Sequence, residues 1–158
     1  MQTTMHTGPW PPLAAEGHTQ WRVAIQRGNR AFGQGDYVCA IHHYRYACTI
    51  ADTFFGRAGD ADSGVAALVI AHHNLADACE NLRLPGQQGC QLCTVHERLY
   101  RAMGDPCLDE PWRQAAYRHS RRTYAELARY AGRHPKHRRA LAALALDVAG
   151  PPSAPPLH

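Results

Sequence analysis

The sequence predicts an all-α domain of five or six helices, stacked as antiparallel hairpins. Three observations predict it. Residues 28–47, GNRAFGQGDYVCAIHHYRYA, read as two amphipathic helices folded back on each other across a tight turn. Further along, apolar residues keep recurring at three- and four-residue spacing, the signature of one buried helix face. The breaks between those stretches are short and rich in Gly, Pro and Asp: residues 56–64, Leu84-Pro85-Gly86, Gly104-Asp105-Pro106, and Gly132 with Pro135.

The 158 residues suffice for one domain with a core. At 45% hydrophobic and 19% charged, the composition is that of a globular chain. No apolar run approaches the roughly 18–20 residues that cross a bilayer, so no membrane partner is expected. The N-terminus, MQTTMHTGPWPP, lacks the basic start and apolar stretch of a secretory signal. Six cysteines in such a chain read as thiols, and the expected location is cytoplasmic.

Residues 1–17 hold Gly8, Pro9, Pro11, Pro12 and Gly17 and are expected to form a disordered arm ahead of a helical domain over 18–149. The first helix is predicted over about 18–32, with Trp21, Ala24, Ile25, Gly28 and Ala31 inward. Gly33-Gln34-Gly35 ends it, since glycine tolerates the left-handed turn of a helix end. Asp36 is the N-cap of the second helix, 37–53, whose inner stripe is Ala40, Tyr44, Ala47 and Ala51. A third helix is predicted over about 65–82 with Leu68, Val69, His72, Leu75, Ala76 and Cys79 on one face. A fourth follows over about 87–103, with Leu92, Val95 and Leu99 inward. Asp109 and Pro111 open a fifth over 110–131, and Gly132 with Pro135 stops it. Residues 136–148 form a short last helix, and 150–158, with four prolines, a disordered tail.

Gly28-Asn29, Phe32, Gly35-Asp36-Tyr37, Ala40-Ile41, Tyr44 and Ala47 resemble one tetratricopeptide repeat, matched without a gap. The third and fourth helices resemble a second repeat through Asn74-Leu75-Ala76, without a Gly-Asp-Tyr turn. From about residue 68 to 137 the chain is also similar to a small family of uncharacterised bacterial tetratricopeptide-like proteins. His73-Asn74-Leu75-Ala76 and Arg133-His134-Pro135 carry that similarity. The resemblance implies a short right-handed array whose first helix in each hairpin lines a peptide-binding groove. Carried over by register, the groove residues are Arg22, Ile25, Asn29 and Phe32, then His73, Asp77 and Glu80 with Asn74 beside them. One subfamily grips a peptide's terminal carboxylate there with asparagines and cations. Ile25 stands where that clamp wants a lysine. A short stack buries its ends poorly, so self-association is also expected.

Two other features point elsewhere. Eleven His and six Cys include pairs at i,i+3 and i,i+4 spacing: Cys39 with His43, and Cys90 with Cys93 near His96. With His72 and His73 these are the ligand types that Zn²⁺ or Cu⁺ prefers, so metal binding or sensing is the runner-up reading. The other reading is simpler: buried thiols and imidazoles filling helix interfaces. No cofactor is required. Charge is uneven as well. Residues 113–139 hold nine Lys/Arg against one acid, Glu126. Arg113, Arg118, Arg121, Arg122, Arg129 and Arg133, interleaved with Tyr117, Tyr124 and Tyr130, make a basic patch that would suit phosphates and bases or an acidic protein. A solvated face with packed arginine stems would read the same way. No glycine-rich phosphate loop and no nucleophile elbow is present, so enzymatic activity is not expected.

Overall fold

The computed structural model describes residues 12–57 and 59–149. The disordered arm and tail expected from sequence fall mostly outside them, at 1–11 and 150–158. Among the described residues there are six helices and no strand: α1 (Pro12–Gly33), α2 (Tyr37–Phe54), α3 (Ala61–Asn81), α4 (Pro85–Met103), α5 (Glu110–Arg133) and α6 (Arg138–Ala149). None of them is long and apolar enough to cross a membrane.

The hairpin turn forms as its residues dictate. Gly35 adopts φ +75°, which a Cβ would strain. Its N–H donates to the Phe32 carbonyl, and Asp36 N–H donates to Ala31 O at 2.9 Å. That pair of bonds is a Schellman cap, satisfying carbonyls that α1 leaves open. Asp36 then caps α2 by accepting from Cys39 N–H at 3.1 Å. The α3–α4 turn repeats the geometry with Arg83 at φ 57°, closed by Leu84 N–H to Cys79 O.

Four helix starts differ from expectation, one of them late: α6 begins at Arg138, two residues on, with Lys136 still in the turn. α1 begins at Pro12, six residues early, because proline suits a first helical turn and was read instead as a breaker. α3 begins at Ala61 because Asp60 caps it, accepting from Ser63 N–H at 3.0 Å. α4 begins at Pro85, again a first-turn proline. The sequence leaves open whether 110–131 is one helix or two; α5 is a single helix, continuing through Gly132 to Arg133. Asp109 precedes it, but its side chain makes no cap bond.

The helices lie in two layers. α1 touches α3, and α3 touches α5, on one side. α2 and α4 occupy the other, linked by Arg45 to Gln87 and by the Arg98–Asp52 ion pair at 3.2 Å. Each helix packs on the next in sequence, and α6 closes the end against α4 and α5. The main core gathers Trp21, Tyr44, Val65, Leu68, Leu75, Val95, Leu99 and Trp112. A second core of Ala76, Leu92, Cys93, Leu127, Tyr130, Ala140 and Ala143 seats α6.

Glycines set how close these layers come. A Cβ on Gly28 would lie 2.4 Å from Tyr44 Cε1. The ring cannot swing away, because Tyr44 is 2% exposed and its hydroxyl donates to Asn29 Oδ1 at 2.7 Å. Gly132, in α5, has open space where a Cβ would go. Alanine gains up to about 1 kcal/mol over glycine in a helix, whereas overpacking a core costs about 1–3 kcal/mol. Gly28→Ala is therefore expected to lower the melting temperature by about 3–6 °C, and Gly132→Ala to raise it by about 2–4 °C. Thermal unfolding followed by circular dichroism checks both signs, and the same sign for both would contradict the packing.

Candidate functional site on the face of the first, third and fifth helices

The basic patch is the first feature to change its meaning. Arg118 pairs with Asp62 at 3.1 Å, and His119 Nε2 reaches the same carboxylate oxygen at 3.0 Å. Burial works to raise the Asp62 pKa, but the bonds from Arg118 and His119 outweigh it and hold the carboxyl below its ordinary value. Arg133 pairs with Glu80 at 3.0 Å. Arg129 pairs with Glu126, and Arg113 with Glu110 and the Leu108 carbonyl. Four of the six patch arginines are thus ion-paired, two of them across to α3. Exposed pairs of this kind contribute about 0–1 kcal/mol each, so their effect is to hold side chains in place. Arg121 lies over the Tyr117 ring, 6.0 Å from its centroid. Arg122 makes no hydrogen bond or ion pair among the described residues.

Around Arg122 the α3 residues gather. His73 is 7% exposed, in the seam between α3 and α5. Burial, then the charges of Arg122, His72 and Arg129, push its pKa down to about 4, so the ring is neutral at pH 7. Its Nε2 is buried and has no hydrogen-bond partner among the described residues. Asp77 stands one turn on. Loss of hydration, then the charges of Glu126 and Glu80, raise its carboxyl to about 6 against the pull of Arg129 and Arg122. The Asp77 charge also reaches Tyr44, whose hydroxyl is pushed up to about 12, chiefly by burial. Tyr44 in turn holds Asn29. One continuous polar face thus runs from Asn29 on α1, past the Tyr44 hydroxyl, over His73, Asp77 and Glu80 on α3, to Arg122, Glu126 and Arg129 on α5.

Two of the groove residues carried over by register are elsewhere. Ile25 is 8% exposed and belongs to the main core. Phe32 packs on that core and sets its ring edge-on to Tyr37 at 5.1 Å, closing the hairpin turn. Ile25 thus offers little surface to a ligand, whereas Phe32 is half-buried. Arg22 is exposed and Asn74 half-buried. Sequence marks Tyr44 only as a core and repeat residue and Glu126 only as the one acid of the basic segment, and it does not mark Asp62. The Tyr44–Asn29 spacing across the predicted turn was the one signal available for any of them.

The thiol and imidazole candidates do not gather in one place. Among the described residues no three His, Cys, Asp or Glu side chains are placed to hold a metal ion. His72 Nδ1–H donates to Gln91 Oε1 at 2.9 Å. His96 is buried on Thr123 at 2.8 Å. The Thr123 hydroxyl donates to Ser120 O, so it accepts from His96 Nδ1–H, which fixes that tautomer. Cys93 lies in the second core, its thiol pushed up to about 11 by burial. Cys90 is exposed and accepts from Arg139 at 3.4 Å. Cys39 packs partly on the main core, and His43 sets its ring edge-on to His42. All six cysteines are free.

The two shifted α3 groups act on stability with opposite signs. His73 titrates at about 4 when folded and about 6.5 when unfolded. Its contribution is complete above pH 6.5 and is lost as pH falls toward 4, by about 3 kcal/mol in all. Asp77 titrates at about 6 when folded, above its ordinary 3.8. Its ionised form costs stability at neutral pH, and that cost disappears on acidification. Asp77→Asn is expected to stabilise the protein at pH 7 and to steepen its loss between pH 6.5 and 4. His73→Gln is expected to flatten that loss. Urea midpoints at pH 7, 5.5 and 4.5 measure this, and slopes equal to wild type in both variants would contradict the assignment.

Among curated proteins and among solved structures nothing matches this chain. Residues 19–149 match the model of a family described as a protein of unknown function, DUF2753. That segment holds α2 to α6 and most of α1, together with every residue of the polar face, and the chain belongs to the DUF2753 family.

Proposed function

We propose that this protein is a non-enzymatic, cytoplasmic interaction module whose α1/α3/α5 face receives a peptide segment or a partner helix. The observation that supports this most is the set of uncommitted polar groups at the α3–α5 seam. Among the described residues Arg122 has no ion pair, while Arg118, Arg129 and Arg133 along α5 have theirs. The buried Nε2 of His73 has no partner. An unmade bond at a buried polar atom costs about 1–3 kcal/mol, and a ligand that supplied it would recover part of that cost. Asn29 and Asp77 extend the same face with an amide and a carboxyl group. A peptide backbone offers both donors and acceptors, which this mixed set requires. The resemblance to tetratricopeptide hairpins supports the same face, since α1, α3 and α5 are the first helices of successive hairpins.

The test is selection of binders from a random peptide library against the full-length chain, followed by affinity measurement on variants. Arg122→Glu is expected to weaken the selected peptides at least tenfold. Arg121→Glu makes the same charge change one residue away, on the arginine laid over Tyr117, and is expected to leave affinity within about twofold. Equal losses in both variants would mean diffuse electrostatic attraction to the basic helix. Amide shifts confined to α2 and α4 on peptide addition would place binding on the opposite layer. Either result contradicts the proposal.

A further inference from the structure

A groove of about 490 Å³, within the range of small-molecule sites, lies where the start of α4 meets the α5–α6 turn. Its apolar lining is flat: Pro85 from α4, and Tyr130, His134 and Pro135 from the end of α5 and the turn. Tyr130 is fixed there. Its ring is 3% exposed and its hydroxyl donates to Pro85 O at 2.8 Å. The His134 ring lies 4.4 Å from that of Tyr130, with planes 32° apart. The His137 ring meets Tyr130 nearly edge-on at 5.3 Å. These three rings form a surface that is already ordered, so a flat ligand ring can join it without first immobilising it. Gly86 keeps the groove open, because a Cβ there would meet nothing within 4 Å.

The charge beside this surface has one sign. Lys136 lines the groove and is exposed, and Arg138 follows His137 in the chain. Neither has an ion pair among the described residues. The arginines on either side do: Arg133 with Glu80 at 3.0 Å, and Arg139 with Glu97 at 2.9 Å. No Asp or Glu is among the residues that line the groove. A donor is also fixed. His137 Nδ1 accepts from Ala140 N–H at 3.1 Å, so the ring carries its proton on Nε2. An ammonium and an imidazole N–H beside stacked rings, with no carboxylate to compete, match an anion attached to a flat ring.

We propose that this groove binds a small aromatic anion, a planar ring carrying a phosphate or a carboxylate, with the ring against His134 and the anion at Lys136 and His137.

Nuclear magnetic resonance titration of the full-length chain tests this. The probes are phenyl phosphate and benzoate, set against inorganic phosphate, acetate and phenol, each of which carries only one half of the ligand. Expected is saturable binding of phenyl phosphate or benzoate, at least fivefold tighter than the matching anion or phenol. Amide shifts should centre on Gly86, His134, Lys136 and His137. Phenyl phosphate as the tighter of the two identifies the anion as a phosphate, and benzoate as the tighter identifies a carboxylate. Lys136→Gln/Arg138→Gln removes two exposed charges and is expected to weaken binding by about fivefold or more. Arg27→Gln/Arg30→Gln makes the same charge change on α1 and is expected to leave affinity within about twofold. Gly86→Leu puts a side chain into the open space and is expected to abolish binding without lowering the melting temperature. No saturable binding of either aromatic anion would overturn the proposal. So would affinities no better than those of inorganic phosphate, acetate or phenol, equal losses in the two charge variants, or undiminished binding in Gly86→Leu.

Discussion

An aromatic ring seated on a glycine recurs at four helix–helix contacts among the described residues. Phe54 lies over Gly17, Tyr44 over Gly28, Trp112 over Gly64 and Tyr130 over Gly89. In each case a Cβ on the glycine would sit 2.0–2.5 Å from a ring carbon. Two of these contacts join α1 to α2, one joins α3 to α5, and one joins α4 to α5. Burying one such side chain contributes about 1.5–3 kcal/mol, but the shape matters as much as the energy. A ring that fits one notch on the facing helix fixes both the spacing and the sliding register of the pair. The hydroxyls of Tyr44 and Tyr130 add a hydrogen bond each, so those two rings are held in rotation as well.

The polar face depends on that register. Trp112 on Gly64 sets α5 against α3, and the ion pairs follow the same seam: Arg118 with Asp62 near one end, Arg133 with Glu80 near the other. Between them lie His73, Asp77 and Arg122. The pairs stabilise little in water, yet they consume most of the positive charge that makes α5 conspicuous. What remains there, among the described residues, is Arg122 without an ion pair, the buried neutral imidazole of His73 and the Asp77 carboxyl, which holds its proton more tightly than usual. A stretch of that kind suits a ligand that offers both donors and acceptors better than it suits a polyanion.

Sequence exposed the local features well. The Gly35–Asp36 turn was legible because every bond that makes it lies within five residues. The start of α5 is legible from Asp109 and Pro111, but its continuity over 110–131 is not, and it passes through Gly132 to Arg133. Ile25 lies in the core instead of on the groove, because a repeat register assigns positions by pattern, while burial is decided by what packs against them. Pro12 signalled a helix start as readily as a break, and only the structure chooses between them. The arginine pairs were hidden for a different reason. Asp62 and Glu80 lie more than fifty residues from Arg118, His119 and Arg133, and spacing along one helix carries no information about charges on another. The same limit applies to Cys90, Cys93 and His96. Their spacing puts them on neighbouring strips of one helix, but only the second core and Thr123 decide where each side chain goes.

The most direct measurement is a double-mutant cycle across the α3–α5 contact, using Gly64→Ala, Trp112→Leu and the pair together, with unfolding free energies from urea titration. If the ring on the glycine sets the register, the alanine methyl is tolerated once the indole is gone. The double variant is then more stable than the sum of the two single losses requires, by more than about 1 kcal/mol. Losses that add to within about 0.5 kcal/mol would show that Gly64 and Trp112 act independently, and would contradict the account of how the face is held.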